Sequence, residues 1–214
     1  MNKKKILAVI FDCDGVMFDS RQANINFYNS LLSKFGLPSM SEKEINFVHM
    51  HTSYESVNYI FRGTNYFEKA ESFRLEMDYR PFIKDMIVEP GLKDLLNGLR
   101  DEMGLAIATN RSNTIGDVLK YNDLQNCFDI VISSLDVQNP KPDPESLHRI
   151  FDYFQIGPKE TIYIGDSPID SEMAIAADVP FIAYKNDKLE ADFYIDFLGD
   201  IIDILNSRRL EDLI

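Results

Sequence analysis

Residues 6–16 read Ile6-Leu7-Ala8-Val9-Ile10-Phe11-Asp12-Cys13-Asp14-Gly15-Val16, an apolar run that stops at two carboxylates one residue apart. The run is typical of a buried strand, whereas Asp is rare in strands and costly to bury without a partner. Asp12 and Asp14 are therefore two like charges that need a cation at the end of a strand. Because Mg²⁺ prefers oxygen ligands and takes one or two carboxylates from a protein, the stretch indicates metal-assisted chemistry on an anion, with phosphate the first candidate.

Similar short apolar runs recur along the chain and predict a parallel sheet. They occupy residues 105–109, 129–132, 161–164, 181–184 and, more weakly, 193–195. The runs are nearly continuous in apolar residues, as expected for strands covered on both faces. Apolar residues at helical spacing lie between them, at 92–99 and, behind the start signal Asp143-Pro144, at 147–154. This alternation predicts an α/β fold with a Rossmann-like, doubly wound parallel sheet.

Residues 20–85 break the alternation, because they carry only helical patterns. Ser41 and Glu44 form a capping-box pattern at the start of the second of four predicted helices, and Pro81 is expected to end the fourth. The interval between the first two predicted strands is far longer than one crossover needs. We therefore predict an all-helical cap at residues 20–85, inserted into an α/β core of residues 1–19 and 86–214, and placed to act as a lid.

The charge and the cysteine content exclude several classes of protein. The 214 residues carry a net charge of −13, which argues against a nucleic-acid partner because no basic stripe is present to neutralise phosphates. Cys13 and Cys127 lack CxxC spacing, so neither a disulfide framework nor a zinc site is indicated. The basic residues 3–5 precede an apolar run too short for a signal peptide, and no membrane partner is indicated. We expect a cytoplasmic monomer or homodimer that acts on a small phosphorylated metabolite.

Four polar loops follow the predicted strands, at the edge of the sheet where open α/β folds bind ligands. They are residues 12–15, 109–111, 141–144 and 165–170. Together they contain what phosphoryl transfer needs: a carboxylate that attacks phosphorus, a second acid for proton transfer, and further carboxylates for Mg²⁺. A hydroxyl, a lysine and backbone amides are present to balance the charge of the phosphoryl oxygens.

With these four motifs in order, the whole chain resembles the haloacid dehalogenase-like hydrolases, in the subgroup with a helical cap just after the first motif. The resemblance implies that Asp12 is the nucleophile and that Asp14 is the general acid/base. It implies that Thr109 binds the phosphoryl group through its hydroxyl, with Asn110 beside it. Gly15, in the loop of the two acids, is a further candidate for phosphate binding.

The third and fourth motifs of the resemblance concern charge and metal. Lys141 matches the third-motif lysine, Asp166 matches a metal-binding acid, and Asp170 matches the acid that supports the metal through water or through Lys141. The backbone carbonyl of Asp14 is also an implied ligand. The expected cofactor is thus Mg²⁺, bound by Asp12, Asp14, Asp166 and Asp170.

The resemblance also distinguishes between reactions. The acid at position 14 favours phosphate chemistry, since the dehalogenases of this superfamily lack it and use no metal. Mutases of the subgroup carry a Thr and, four residues later, a His in the hinge that leads into the cap, where this chain has Ser20 and Asn24. A phosphatase that hydrolyses a phosphate monoester through an aspartyl-phosphate is therefore favoured. A β-phosphoglucomutase-like mutase and a non-catalytic protein that binds phosphate or a partner are the alternatives.

The cap is expected to choose the substrate, because the core meets mainly the phosphoryl group. Residues 49–54, read as a loop between the second and third cap helices, offer His49, His51 and Thr52 as hydrogen-bonding groups, unless they form an incidental surface loop. Ser20 is a further substrate-binding candidate in the hinge.

The arginines and aromatic rings leave alternatives open. Arg111 is expected either to reach the substrate from the core side or to pair with a surface acid. Arg62 and Arg74 are expected to be solvated or structural. The many aromatic rings of the cap either pack internally or offer a partner surface.

Overall fold

The structure is a computed structural model that describes residues 5–211, so Lys3 and Lys4 of the basic run lie outside the described residues. The strands are β1 (Ala8–Phe11), β2 (Phe18–Asp19), β3 (Ile87–Val88), β4 (Gly104–Ala108), β5 (Ile130–Ile132), β6 (Thr161–Gly165), β7 (Phe181–Tyr184) and β8 (Phe193–Ile195). The helices are α1 (Arg21–Lys34), α2 (Glu42–Met50), α3 (Ser53–Ile60), α4 (Phe67–Glu76), α5 (Arg80–Ile83), α6 (Leu92–Leu99), α7 (Ile115–Tyr121), α8 (Glu145–Phe154), α9 (Pro168–Ala176) and α10 (Ile201–Glu211).

A six-stranded parallel sheet forms the centre of the molecule, which confirms the predicted α/β fold. Its strand order is β5-β4-β1-β6-β7-β8. The chain runs from β1 to β4 and β5 on one side and then returns to β6 on the other side, so the order reverses beside β1. Ligands of open α/β sheets bind in the crevice that such a reversal leaves at the carboxyl ends of the strands.

The register of β1 brings the predicted motifs together at that crevice. Phe11, its last residue, lies opposite Ile107 of β4 and opposite Ile164 of β6. The first residues after β1 and β4, Asp12 and Thr109, therefore emerge side by side, and Asp166 emerges on the other flank after β6.

Both faces of the sheet are covered, as the continuous apolar runs predict. Val9 and Phe11 belong to one apolar cluster and Ile10 to another, because successive side chains of a strand point to opposite faces. Cys13 packs in the first cluster as a small buried residue, and Cys127 is likewise a free thiol.

The five helices α1–α5 lie between β2 and β3, which pair antiparallel at the base of the cap. Phe18 lies opposite Val88, and Asp19 lies opposite Ile87. The sequence does not predict this pair, because two residues are too short for a hydrophobic period to show. It fixes the two connections between the helices and the sheet against each other.

Local capping signals determine some of the helix boundaries in the cap. Gly36 has a φ of 68° and ends α1, with its N–H bonded to Ser33 and the N–H of Leu37 bonded to Leu32. The predicted capping box of Ser41 and Glu44 opens α2.

Two boundaries differ from the sequence interpretation. Pro81 does not end the fourth helix, which stops at Glu76; it lies in the first turn of α5, where a missing N–H has no consequence. Residues 49–54 are not one loop either, because α2 continues to Met50 and α3 begins at Ser53, behind a second capping box.

The aromatic rings of the cap pack mostly against one another. Phe35 meets Phe61 with ring centroids 5.3 Å apart, and Phe27 meets Tyr79 and Phe82 at 5.1 and 5.5 Å. Tyr66 packs against Phe35 at 5.4 Å but keeps 41% exposure. Among the described residues, none of the helices combines the length and the apolar character that a membrane crossing requires.

Candidate active site

Lys141 is the buried cation at the centre of the site. Its Nζ donates to Oδ1 of Asp12 at 2.6 Å, to Oδ1 of Asp170 at 2.8 Å and to the hydroxyl of Tyr163 at 2.6 Å. All three ammonium protons therefore meet oxygen atoms, as a buried charge requires. Burial alone would lower the pKa of Lys141, but the two carboxylates outweigh it and raise that pKa above its usual value.

Asn110 holds the backbone of Lys141 in place. Its Oδ1 accepts the N–H of Lys141 at 3.0 Å, and its Nδ2 donates to the carbonyl of Lys141 at 3.3 Å. Asn110 lies on the cleft as expected, yet both ends of its amide are engaged in positioning the lysine.

Three carboxylates surround this lysine and form the candidate metal centre. Oxygen atoms of Asp12, Asp166 and Asp170 all lie within 4.8 Å of one another. Burial raises the pKa of Asp12 to about 7 in spite of Lys141, and burial together with Asp170 raises the pKa of Asp166 well above its usual value. The positive charge of Lys141 thus does not balance the negative charge of the three carboxylates.

This donor set fits Mg²⁺. The three side chains offer hard oxygen ligands only, and a divalent cation would balance the acids that Lys141 does not. The carboxylate of Asp14 lies outside this group of three, so the expected contribution of Asp14 to the metal remains that of its backbone carbonyl.

The start of α9 fixes the position of Asp170. Its Oδ2 accepts the N–H of Ser167 at 3.1 Å and the hydroxyl of Ser167 at 2.5 Å, which completes a capping box. Its Oδ1 accepts from Tyr163 as well as from Lys141. These bonds outweigh burial and, with Lys141, lower the pKa of Asp170.

Two glycines allow the acids to approach one another. Gly15 has a φ of 87°, and a Cβ at this position would lie 2.1 Å from Oδ2 of Asp166. A Cβ on Gly165 would lie 2.4 Å from the Cβ of Asp170. Gly15 thus packs against a metal-site acid and does not line the cleft, so its expected role in phosphate binding gains no contact here.

Asp14 is turned away from the three acids and pairs with Arg111. Nε of Arg111 lies 3.0 Å from Oδ2 of Asp14, and Nη2 lies 2.5 Å from Oδ1. Burial alone would raise the pKa of Asp14, but Arg111 outweighs it and holds that pKa below its usual value. Of the two alternatives for Arg111, pairing with an acid is the observed one, but the acid is buried and belongs to the site.

Arg111 also contacts neighbours from both the core and the cap. Its Nη1 donates to the hydroxyl of Thr114 at 3.1 Å, and its guanidinium lies 4.9 Å from the centre of the Tyr79 ring. Thr109 is buried beside it, and the Thr109 hydroxyl oxygen accepts the backbone N–H of Arg111 at 3.1 Å. The O–H of Thr109 stays available as a donor to a ligand.

The cap residues divide into two groups. His49 and His51 line the cleft together with Ser53, as expected. Thr52 instead caps α3, where its hydroxyl oxygen accepts the N–H of Glu55 at 3.3 Å, and it faces a separate groove. The reason is its place immediately before a helix, where a Thr hydroxyl satisfies a backbone N–H.

Ser20 lies in the hinge and does not reach the cleft surface. It is fully buried, and its hydroxyl bonds to Asp14, which helps to lower the pKa of that acid. Asn24 donates to the Ser20 hydroxyl at 3.4 Å and accepts from the hydroxyl of Tyr79 at 3.0 Å. Ser20 therefore contacts the side chain of Asp14 from the protein interior and not from the cleft.

The sequence interpretation missed three residues of the site. Tyr163 is a single hydroxyl in an otherwise apolar run, and a buried Tyr hydroxyl needs a partner, so its position was a usable signal. Tyr79 and Arg74 carry no such signal. Arg74, expected to be solvated or structural, is 7% exposed, pairs with Glu71 and lines the cleft, whereas Arg62 is half exposed and binds Glu44 at 2.8 Å.

Comparisons with known proteins identify the family of the chain. Residues 9–184 match the family model described as haloacid dehalogenase-like hydrolase. A protein of Chromobacterium violaceum named phosphoglycolate phosphatase is 27% identical, over 97% of this chain and 100% of the relative. A protein of Listeria innocua named pyrophosphatase PpaX is 26% identical, over 96% of this chain and 99% of the relative.

Solved structures share the fold. A hydrolase of the haloacid dehalogenase superfamily from Geobacter sulfurreducens is 39% identical, with a TM-score of 0.77 over 94% of this chain and 96% of that one. A β-phosphoglucomutase from Clostridium difficile is 20% identical, with a TM-score of 0.81 over 96% of this chain and 99% of that one. The second likeness concerns the fold alone.

Proposed function

This chain belongs to the haloacid dehalogenase-like hydrolases, and from this premise we propose that it is a Mg²⁺-dependent phosphatase that hydrolyses a small phosphate monoester through an aspartyl-phosphate. The carrying observation is the cluster of Asp12, Asp166 and Asp170 around the buried Lys141. The names of the two relatives, a phosphoglycolate phosphatase and a pyrophosphatase, support phosphate chemistry. A cleft volume of about 60 Å³ supports a small substrate.

Asp12 is the proposed nucleophile. A carboxylate oxygen forms a bond to phosphorus as the bond from phosphorus to the leaving oxygen breaks. Lys141 binds Oδ1, which favours the ionised form of Asp12 and leaves Oδ2 for the attack. The hydroxyl of Thr109, at the end of the neighbouring strand, donates to a phosphoryl oxygen.

Asp14 is the proposed acid and base. It gives a proton to the leaving oxygen and later takes one from the water that attacks the aspartyl-phosphate, so that inorganic phosphate is released and Asp12 is restored. In the present conformation Arg111 binds both oxygens of Asp14 and favours its ionised form. Proton transfer therefore requires Asp14 to turn from Arg111 towards the substrate.

The carboxylates and the backbone carbonyl of Asp14 would hold the metal. When bound, Mg²⁺ neutralises charge on the phosphoryl oxygens during transfer. Lys141 and the start of α9 hold Asp170 in place for this site whether or not substrate is present. A cytoplasmic location stays part of the proposal, supported by two unpaired cysteines.

The mutase alternative has less support. Position 24 is Asn, and its amide is engaged by Ser20 and Tyr79. A mutase would isomerise a sugar phosphate in a reaction that depends on a bisphosphate activator. A non-catalytic protein would bind phosphate without turnover.

The test is phosphate release from a panel of small phosphate esters, with and without Mg²⁺. We expect Mg²⁺-dependent release that disappears in Asp12→Asn. The matched control is Asp178→Asn, an exposed acid with a φ of 56°, a conformation that Asn tolerates. Absence of release by the wild type across the panel would overturn the proposed function.

A further inference from the structure

Three basic side chains line the cleft, and they differ in how many of their donors are used. Lys141 directs its ammonium at three oxygens, and Arg111 uses all three guanidinium nitrogens on protein partners. Arg74 gives Nε and Nη2 to Glu71 at 2.8 and 2.7 Å. Within the part of the chain that the structure describes, Nη1 of Arg74 has no hydrogen-bond partner, so this cation keeps a donor for a ligand.

The placement of the ion pair directs that donor into the cleft. Arg74 lines both the cleft and a groove on the outer seam between cap and core, whereas Glu71 lines only the groove. Glu71 therefore holds the guanidinium from behind. A guanidinium that is 7% exposed, with one edge unpaired, favours an anionic partner on its open side.

His49 is a second polar side chain at the cap end of the cleft. His49 lines the cleft, and its Nδ1 is buried with no hydrogen-bond partner among residues 5–207. This nitrogen is out of reach of a ligand in the cleft, so His49 adds a polar ring to the lining beside Arg74, and the anion is inferred from Arg74.

The two ends of the cleft have different chemistry. The phosphoryl group must reach Asp12 at the sheet edge, so the leaving group extends towards the cap, where Arg74 and His49 lie on α4 and α2. A neutral leaving group would leave the open edge of Arg74 without a partner.

We propose that the substrate carries a second anionic group on its leaving group, a carboxylate or a phosphate, and that Arg74 binds this group with His49 beside it. The inference rests on the proposed phosphatase function and names its substrate class. Arg74 is thus a specificity-determining residue.

The experiment compares phosphate monoesters of primary alcohols that differ in the charge of the leaving group. 2-Phosphoglycolate and ethane-1,2-diol bisphosphate present a carboxylate and a phosphate, and 2-hydroxyethyl phosphate and 2-methoxyethyl phosphate are their neutral counterparts. We expect the wild type to prefer at least one charged member of these pairs in kcat/KM, and the preferred pair identifies the anion. Arg74→Gln should lower kcat/KM about 10- to 100-fold for that charged substrate, mainly through KM, and leave its neutral counterpart nearly unchanged.

Variants of the ion pair separate binding from folding. Arg74→Lys should restore part of the preference, and Glu71→Gln, which leaves the guanidinium in place, should keep it. The double variant Glu71→Gln/Arg74→Gln removes both charges and avoids an unpaired acid, yet it should lose the preference. Arg80→Gln is the matched control, because Arg80 also forms a bidentate pair, with Asp78, but is 70% exposed.

The outcomes keep the two proposals apart. Equal loss on both members of a pair in Arg74→Gln, or loss of the preference in Glu71→Gln, would overturn the role of Arg74 while the phosphatase function stands. The same holds for a wild type that turns over the neutral substrates equally well. Absence of turnover of all four substrates with Mg²⁺ would overturn the phosphatase function and this inference with it.

Discussion

At the scale of single residues, the pair of Asp14 and Arg111 joins positions 97 residues apart along the chain. Both side chains are largely buried, with 15% and 5% exposure. Arg111 keeps the carboxylate of Asp14 ionised and turned away from Asp12. We interpret this conformation as that of the enzyme without substrate. The sequence does not predict this pair. Asp14 belongs to the first motif, and the chain contains many acidic residues with which Arg111 could pair.

Arg111→Met tests the pair through stability. The variant leaves a buried carboxylate uncompensated, which should lower the free energy of unfolding at pH 7 by about 3 kcal/mol. Since Arg111 holds the pKa of Asp14 below its usual value, the stabilisation is present above about pH 4 and is lost as the pH falls through the folded pKa. The difference between wild type and variant should therefore shrink as the pH falls below about 4, as measured by urea unfolding at pH 7 and at about pH 3.

The control for this prediction is Arg80→Met, which removes an exposed arginine from its pair with Asp78. It should show no comparable loss. An equal destabilisation of Arg111→Met at both pH values would mean that the lost packing, and not the charge of Asp14, is responsible.

At the scale of elements, the junction of β6 and α9 carries much of the site. Gly165 ends the strand, Asp166 follows it, and Ser167 opens the helix whose third residue is Asp170. Capping signals of this kind act within four residues, which is why the sequence predicts the box at Ser41. It misses the β2–β3 pair, which depends on two distant segments.

Gly165→Ala tests this junction. The added methyl would lie 2.4 Å from the Cβ of Asp170 and displace the acid that binds Lys141. We expect phosphate release to fall about 100-fold, because a shift of about 1 Å in a site has effects of that order. Circular dichroism should still show a folded protein.

Gly98→Ala is the matched control, since Gly98 is exposed on α6 and a Cβ there meets nothing within 4 Å. It should keep full activity and raise the free energy of unfolding by about 0.5–1 kcal/mol, because alanine favours the helix. Full activity of Gly165→Ala would show that Asp170 tolerates displacement.

At the scale of the whole molecule, a chain with a net charge of −13 gathers three acids at the switch point of its sheet. The fold tolerates them there because Lys141, itself from a loop beyond β5, reaches across to two of them. The cap adds Arg74 and His49 from the other side. The acids at one end of the cleft thus come from the core, and the basic side chains at the other end come from the cap.

Mg²⁺ should stabilise the fold. A ligand at 100 times its dissociation constant adds about 2.7 kcal/mol to the free energy of unfolding, measurable by urea titration. Burial raises the pKa of Asp12 to about 7, so the metal-free protein loses stability as the pH rises from about 4 to about 7. Because Mg²⁺ competes with that proton, its effect should be larger at pH 8 than at pH 6.

Asp166→Asn should abolish most of this stabilisation, and NaCl at the same ionic strength serves as the control for screening. An identical shift in Asp166→Asn, or with NaCl, would place the effect outside the three acids.

Local patterns in the sequence predict the strands of the main sheet and the helical insertion. Apolar period, turn residues and caps act over a few neighbours, so the alternation of strands and helices, the helical insertion and the acids after β1 and β6 follow from local chemistry. The resemblance of the four loops to a hydrolase family added the expected roles of Asp12 and Lys141. The side chains of these two residues form an ion pair across a separation of 129 residues.

The direction in which the side chains of Thr52, Asp14 and Arg74 face depends on tertiary packing. Thr52 turns to its own helix, Asp14 turns to Arg111, and Arg74 enters the cleft with one donor unpaired. Each of these depends on the distance between elements that packing brings together, and no pattern of neighbouring residues encodes such a distance. The local motifs therefore predict the proposed phosphate chemistry, whereas the side chains proposed to select a substrate are placed by the packing of the helical cap against the core.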